Sequence, residues 1–319
     1  MLAGDLAKPH LGLSEADWSR LAEQVDLIVH PAALVNHKLP FAQLFRPNVA
    51  GTAALIELGL TFRQKRIVHV STVAAAMHRD RLASEDADIR EAIPEWHAST
   101  GYADGYGASK WAAEVLLREA NARFGLPVNV FRSGMIMAPI SYSGHLNLPD
   151  IFTRLMLSLA ATRLAPDSFY AAGGPAHYDG LPVDFIARSI AAIGEIRRSG
   201  FHTFHLLNPH DDGISQDRFV EWLEELGYSM TRAPFAVWRS RFEAALRALP
   251  DELRQASVLP LLDAMAHPQP PVNGPTLPAP RFVEATAEAG VTPDRKVPHL
   301  GRDIIARYIS DLKAQGLLD

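Results

Sequence analysis

Tyr106-Gly107-Ala108-Ser109-Lys110 puts a phenol and an ammonium four residues apart. On a helix that spacing sets both groups on one face, one turn from each other. A phenol titrates near ~10 when unperturbed. A nearby ammonium favours the phenolate, so the pair is expected to give and take a proton near neutrality. The spacing also arises by accident, and its weight comes from what precedes it. Arg66-Ile67-Val68-His69-Val70-Ser71-Thr72 reads as a strand ending in two hydroxyls, followed by a long polar loop over 77–104, rich in Asp and Glu from Glu85 to Glu91. Open α/β sheets place ligands at the carboxyl ends of their strands, and loops that long in compact domains are often functional. A hydroxyl at Ser71 or Thr72 would donate to a carbonyl oxygen together with Tyr106, while Lys110 holds the tyrosine and a cofactor ribose. The plainer alternative is that Thr72 only caps a turn.

Outward from this stretch the chain alternates strand and helix. Met1 to Leu6 reads as the end of a strand. A helix follows within 11–24, with Ser14 as its cap. Val25-Asp26-Leu27-Ile28-Val29-His30 reads as a buried strand, too apolar for a surface one, closed by Pro31-Ala32-Ala33. Helix over 48–60, strand 66–72, helix 106–124 and strand 128–132 continue the series, which implies an α/β fold with a parallel sheet. From Leu148 the character changes to apolar and amphipathic helices at 151–161, 182–196, 219–226, 234–264 and 303–315, with a strand at 203–207 and a proline-rich connector over 268–280. The organisation expected is a partial nucleotide-binding domain over 1–147 and a mostly helical substrate or carrier subdomain over 148–319, interleaved with the last sheet strands.

Composition narrows the partners. The chain has 319 residues, 48% apolar and 21% charged, with a formal charge of −5 and a pI near 6.2. That balance gives no global preference for nucleic acid or an anionic membrane. Cysteine is absent, which removes disulfides, thiolate metal sites and a cysteine nucleophile and fits a cytoplasmic location. No stretch approaches the ~20 apolar residues of a membrane span. The thirteen histidines invite a metal reading, but His202 and His205 point to opposite faces of their strand, so none is expected. Arg239, Arg241, Arg247 and Arg254 read as the solvated face of helices.

In this order, these residues resemble the extended short-chain dehydrogenase/reductases. The longer phrases resemble one branch, the thioester reductase (R) domain of carboxylic acid reductases. Val25–His37 is similar to that family's fourth strand and following loop, and Gly105–Glu114 to its catalytic helix. The phrases at 177–185, 208–213, 241–250 and 308–312 are distinctive of the branch. The resemblance implies a Rossmann-like doubly wound parallel sheet and NADPH-dependent reduction of an acyl thioester carried on the phosphopantetheine arm of a carrier domain. It implies Thr72, Tyr106 and Lys110 as catalytic residues. It implies cofactor contacts at Asp5 and Leu6 beside the adenine, Ala32 and Ala33 along the phosphate–ribose path, Ser71, Tyr106 and Lys110 at the nicotinamide side, and Gly134, Met135 and Ile136 behind it.

Measured against the family pattern, a glycine-rich turn for the pyrophosphate is missing before Gly4. The shortfall is roughly 60–80 residues, two strand–helix units of ~30 each. The expectation is an N-terminally truncated copy that lacks the first strands of its sheet, with Val25–Val29 left as an exposed edge. NADPH rather than NADH comes from the resemblance alone. Two other readings stay open: a reductase or epimerase of a small free carbonyl or sugar nucleotide, and an inactive remnant or carrier-docking module.

Overall fold

The structure is a computed structural model and describes residues 1–97, 99, 101, 103–171 and 176–319. Four parallel strands form its central sheet: β1 (Leu27–His30), β2 (Arg66–Thr72), β3 (Val128–Ser133) and β4 (Phe201–Leu206). They lie side by side in chain order. All six residues of β3 are buried, as a strand flanked on both edges and covered by helices requires. The parallel α/β fold expected from the alternation is the fold observed.

Helices connect the strands. The first, α1 (Glu15–Gln24), starts where Ser14 accepts from the backbone N–H of Asp17, which satisfies one of the free donors of the first turn. After β1 the chain winds through a short helix at Phe41–Leu44, a π-helical turn at Phe45–Ala50 and then α2 (Gly51–Leu60). After β2 comes α3 (Asp104–Phe124), ended by Gly125 in the left-handed region at φ 67°, a conformation glycine adopts without steric cost. Trp18, Ile28, Leu55, Leu58, Ile67, Leu117, Leu126, Val128 and Val130 fill the core between these helices and the sheet.

By contact the chain divides into two compact units. The first comprises Met1–Gly134, Arg188–Leu206 and Leu277–Lys296; the second comprises Met135–Ala187, Leu207–Thr276 and Val297–Asp319. Each unit is drawn from three separate stretches of the chain. β4 comes late in the sequence yet pairs with β3, so its segment returns to the sheet. The second unit has its own core. Phe152 packs edge-on against Phe219 and Tyr308, and Trp238 stacks on Phe242. On its surface Arg239 and Arg247 both pair with Glu243, and Arg254 with Asp251, the solvated ion pairs expected of such helix faces.

Three expectations need correction. Met1–Leu6 is not a strand. Asp5 N–H donates to Leu11 O at 2.7 Å, Ala7 N–H donates to the Asp5 carboxylate at 2.9 Å, and a 3-10 turn at Pro9–Gly12 follows. The segment's backbone is thus tied locally, and it pairs with no strand among the described residues. The loop over 77–104 is not wholly irregular. It holds a small hairpin (Met77–His78 with Arg81–Leu82) and a helical turn (Ile89–Ala92) capped by Asp88; its positions 98, 100 and 102 lie outside the described residues. The proline-rich connector ends in a helix, Pro280–Glu288, because proline at the first helical position has its φ preset and no N–H to leave unpaired. The β1 strand does lie at a sheet edge, with Val29 53% exposed.

The entry to α3 is set by close backbone packing. A Cβ at Gly105 would lie 2.4 Å from Leu39 O and 2.8 Å from Phe41 N. Neither backbone atom can step aside without moving the segment before the π-helical turn. Gly105→Ala is therefore expected to destabilise the fold by about 1–3 kcal/mol, read as a lowered urea midpoint with an unchanged slope. A wild-type midpoint would show that the 39–41 segment yields freely.

Candidate active site

The carboxyl edge of the sheet and the first two turns of α3 bring the principal candidates together. Lys110 is 2% exposed, and its Nζ donates to Val70 O at 2.7 Å. The helix is thus tied to the last residues of β2, two positions before Thr72. Tyr106 lies one turn earlier and is half-buried. Its ring packs against His37, centroids 5.4 Å apart, so of the histidines outside the sheet His37 joins the site. Ser109, between Tyr106 and Lys110, donates to Tyr106 O at 2.8 Å and accepts from Asn48 Nδ2 at 3.0 Å. The Asn48 carboxamide also accepts from Leu34 N–H at 2.8 Å and donates to Leu34 O at 3.2 Å. One buried amide therefore holds the loop after β1 against the turn of α3 that carries Tyr106. It sits in the π-helical turn, an irregularity frequent at functional sites.

Hydrogen bonding separates the two hydroxyls at the end of β2. Ser71 Oγ donates to Glu114 Oε1 at 2.5 Å, so its proton is committed. Thr72 Oγ1 accepts from Ala74 N–H at 3.3 Å and keeps its own proton to donate. The turn-capping role of Thr72 is thus real and compatible with a second role.

Electrostatics correct one expectation. Burial pushes the Tyr106 phenol up to about 12; Lys110 does not lower it here. Burial also lowers the Lys110 ammonium to about 8, with Glu114 pulling it the other way. His30 and His69 meet across β1 and β2, ring centroids 5.1 Å apart. Burial and then the charge of Lys110 bring His30 down to about 4 and His69 well below its usual value. Both imidazoles are neutral at pH 7, and Lys110 is the cation among them.

The remaining candidates are dispersed. Ala32 and Ala33 follow β1 directly, Ala32 exposed and Ala33 half-buried. Gly134 closes the sheet unit, its N–H donating to Leu206 O at 3.4 Å. Met135 and Ile136 open the second unit, where Ile136 pairs with Leu181. Asp5 is exposed and ion-paired with Lys8 at 3.7 Å, and Leu6 packs against Gly51 of α2. A cavity of about 340 Å³ borders the first turn of α3, lined by Ala74, Met77, His78, Trp96, Asp104 and Gly107.

The donor set suits a nicotinamide ribose at this edge. A buried ammonium and a phenol offer hydrogen bonds, and small residues follow β1. Ser133 Oγ, at the end of β3, and both ring nitrogens of His69 are buried and find no partner among the described residues, which leaves polar groups for a polar ligand. Asn48, Glu114, Arg132, His30 and His69 escaped the sequence reading. The available signal was a polar residue inside an apolar strand, as in Ile67-Val68-His69-Val70 and Val130-Phe131-Arg132.

The profile of an NAD-binding family described as male sterility protein matches residues 1–190. A carboxylic acid reductase of Mycobacterium marinum is 52% identical over 325 residues, which takes in 100% of this chain and 28% of that protein. The isonitrile lipopeptide synthase of Mycobacterium tuberculosis is 48% identical over 337 residues, 100% of this chain and 13% of that protein. The chain thus spans under a third of the length of these curated relatives. The reductase (R) domain of a nonribosomal peptide synthetase from Mycobacterium tuberculosis superposes with a TM-score of 0.89 at 47% identity, covering 99% of this chain and 76% of that one. The chain belongs to this NAD-binding male sterility protein family and, within it, to the reductase (R) domains.

Proposed function

We propose that this chain reduces an acyl thioester, presented on the phosphopantetheine arm of a carrier domain, to the aldehyde, with NADPH as reductant. The observation that carries the reading is the anchoring of Lys110 on Val70 O. It brings the Tyr106–Lys110 face of α3 to the end of the strand that carries Thr72. The names and R-domain likeness of the relatives support the substrate class, and the family resemblance makes an acyl carrier domain the expected partner. The choice of NADPH over NADH follows the family resemblance.

When bound, the cofactor supplies hydride to the thioester carbonyl carbon. The chain's own residues do the rest. Lys110 and Tyr106 would hold the nicotinamide ribose, with Ala32 and Ala33 giving room for close approach, and we assign Asp5, Leu6, Ser71, Gly134, Met135 and Ile136 to the wider cofactor surround. Thr72 Oγ1 and the Tyr106 hydroxyl would donate to the carbonyl oxygen as negative charge builds there, stabilisation that counts most in a water-poor site. A phenol held near 12 stays protonated through neutral pH, as a donor in a reduction must. Collapse of the thiohemiacetal breaks the carbon–sulfur bond, releasing aldehyde and the carrier thiol. The cavity beside Gly107 suits the acyl group.

The test is NADPH oxidation by the purified chain with an acyl-pantetheine thioester, with the aldehyde measured directly. Turnover that needs no pantetheine arm would favour a small free carbonyl substrate. NADPH binding without oxidation would favour a docking role. Tyr106→Phe is expected to lower kcat by about 10²–10⁴-fold and to weaken NADPH binding through the lost ribose contact, and Thr72→Val to lower kcat by about 10²–10³-fold with NADPH affinity retained; wild-type kcat in either variant contradicts the assignment. The pH profile has a definite sign. Lys110 is cationic below its value of about 8, so log kcat should be flat through neutrality and fall above pH 8 with unit slope. A limb that begins only near pH 10 would show that Lys110 is not the titrating group.

A further inference from the structure

Behind Thr72 lies a closed set of polar side chains that no reacting atom needs to touch. Ser71 stands opposite Arg132 in the register of β2 and β3. Glu114, one turn beyond Lys110 on α3, accepts from both. Ser71 Oγ donates to it at 2.5 Å, Arg132 Nε at 3.0 Å and Arg132 Nη2 at 2.7 Å. The Glu114 and Arg132 side chains are each 1% exposed. The free Nη1 of Arg132 donates to Ala83 O at 3.0 Å and to Nε2 of His205 at 3.2 Å, and Nδ1 of His205 donates to Pro278 O at 2.9 Å. Burial and the Arg132 charge hold His205 at about 4, so its ring is neutral with its proton on Nδ1.

Stability is a weak reason for such a pair. A buried ion pair exchanged for apolar residues of equal volume is often neutral or stabilising, and β3 is otherwise mostly apolar. The pair does two things that apolar packing could not. It commits the Ser71 proton, and it sets a carboxylate one turn from Lys110.

We infer that Glu114 is a positioning residue for the reductive step. It fixes the hydroxyl of Ser71 on the face of β2 opposite Thr72, and it stands as the carboxylate partner of the Lys110 ammonium. The inference rests on the thioester-reductase reading for its kinetic part. Tyr106 and Glu114 lie one turn to either side of Lys110 on its own helix, and the Lys110 charge acts on His30 of β1 and His69 of β2, with Arg132 of β3 bound to Glu114. Both histidines are neutral, so Glu114 is the anion in the group.

The experiment uses the full chain with isotope-labelled lysine and follows the Lys110 side-chain resonance against pH, assigned by its loss in Lys110→Met. In Glu114→Gln the Lys110 midpoint is expected to fall by about one unit, and the alkaline limb of kcat with it. In Ser71→Ala the midpoint should stay put. In both variants kcat should drop about tenfold or more, while KM for NADPH changes less than about threefold in Glu114→Gln. A folded Glu114→Gln chain with an unmoved Lys110 midpoint overturns the inference, as does Ser71→Ala with wild-type kcat. Should Glu114→Gln fail to fold around an unpaired Arg132, Glu114→Asp decides. It keeps the charge but is too short for Ser71, so the Lys110 midpoint should hold while kcat drops, and full activity overturns the inference. If the wild-type chain reduces no thioester, the functional reading fails, and the Lys110 shift in Glu114→Gln still judges this one.

Discussion

Taking the ammonium of Lys110 out of water is the constraint around which the first unit is organised. A buried lysine loses its hydration, and that loss favours the neutral amine. The structure answers with the Val70 carbonyl at 2.7 Å and a carboxylate one turn away. Both partners are fixed in regular structure: Val70 is in a strand flanked by β1 and β3, and Glu114 is on the same helix as the lysine. The lysine can therefore be held near its titration point only if helix and strand keep their register. The small residues along α3 serve that register. Gly105 lets the segment at 39–41 cross the helix start, and Gly107 lets Trp96 and Ala74 approach it.

From that anchor the division of labour at the strand end follows. Ser71 and Thr72 are adjacent, but alternation along a strand sends neighbouring side chains to opposite faces. Ser71 turns toward Glu114 and Arg132, and Thr72 does not. The phenol of Tyr106, pushed up by burial, remains a donor. On the proposed reading these groups give protons and hydrogen bonds to a carbonyl oxygen, which suits reduction better than abstraction. The membership of the chain among R domains and the chemistry of its side chains point the same way from independent observations.

The sheet and α3 were legible in the sequence because they rest on local pattern. Val25–His30, Arg66–Thr72 and Val128–Arg132 are short apolar runs bounded by turn residues, and the helix through Tyr106 ends at a glycine. What stayed hidden depends on long-range pairing. Asn48 was read only as part of a helix start, and its clasp on Leu34 and Ser109 spans 14 and 61 residues. Glu114 and Arg132 meet only because α3 lies over β2 and β3. The activation of Tyr106 by Lys110 was read from spacing alone. Helical spacing gives proximity, but burial decides the charge state. The first residues misled for a related reason, since a short apolar run such as Met1–Leu6 carries no signal of whether a neighbouring strand exists to pair with it.

The most direct measurement is hydride transfer itself. The chain would be given NADPH carrying deuterium at the transferable C4 position and an acyl-pantetheine thioester, and the product analysed by mass spectrometry. The account predicts an aldehyde with a single deuterium on its carbonyl carbon and release of the pantetheine thiol in equal amount. An unlabelled aldehyde, or thiol released without loss of NADPH, would contradict it.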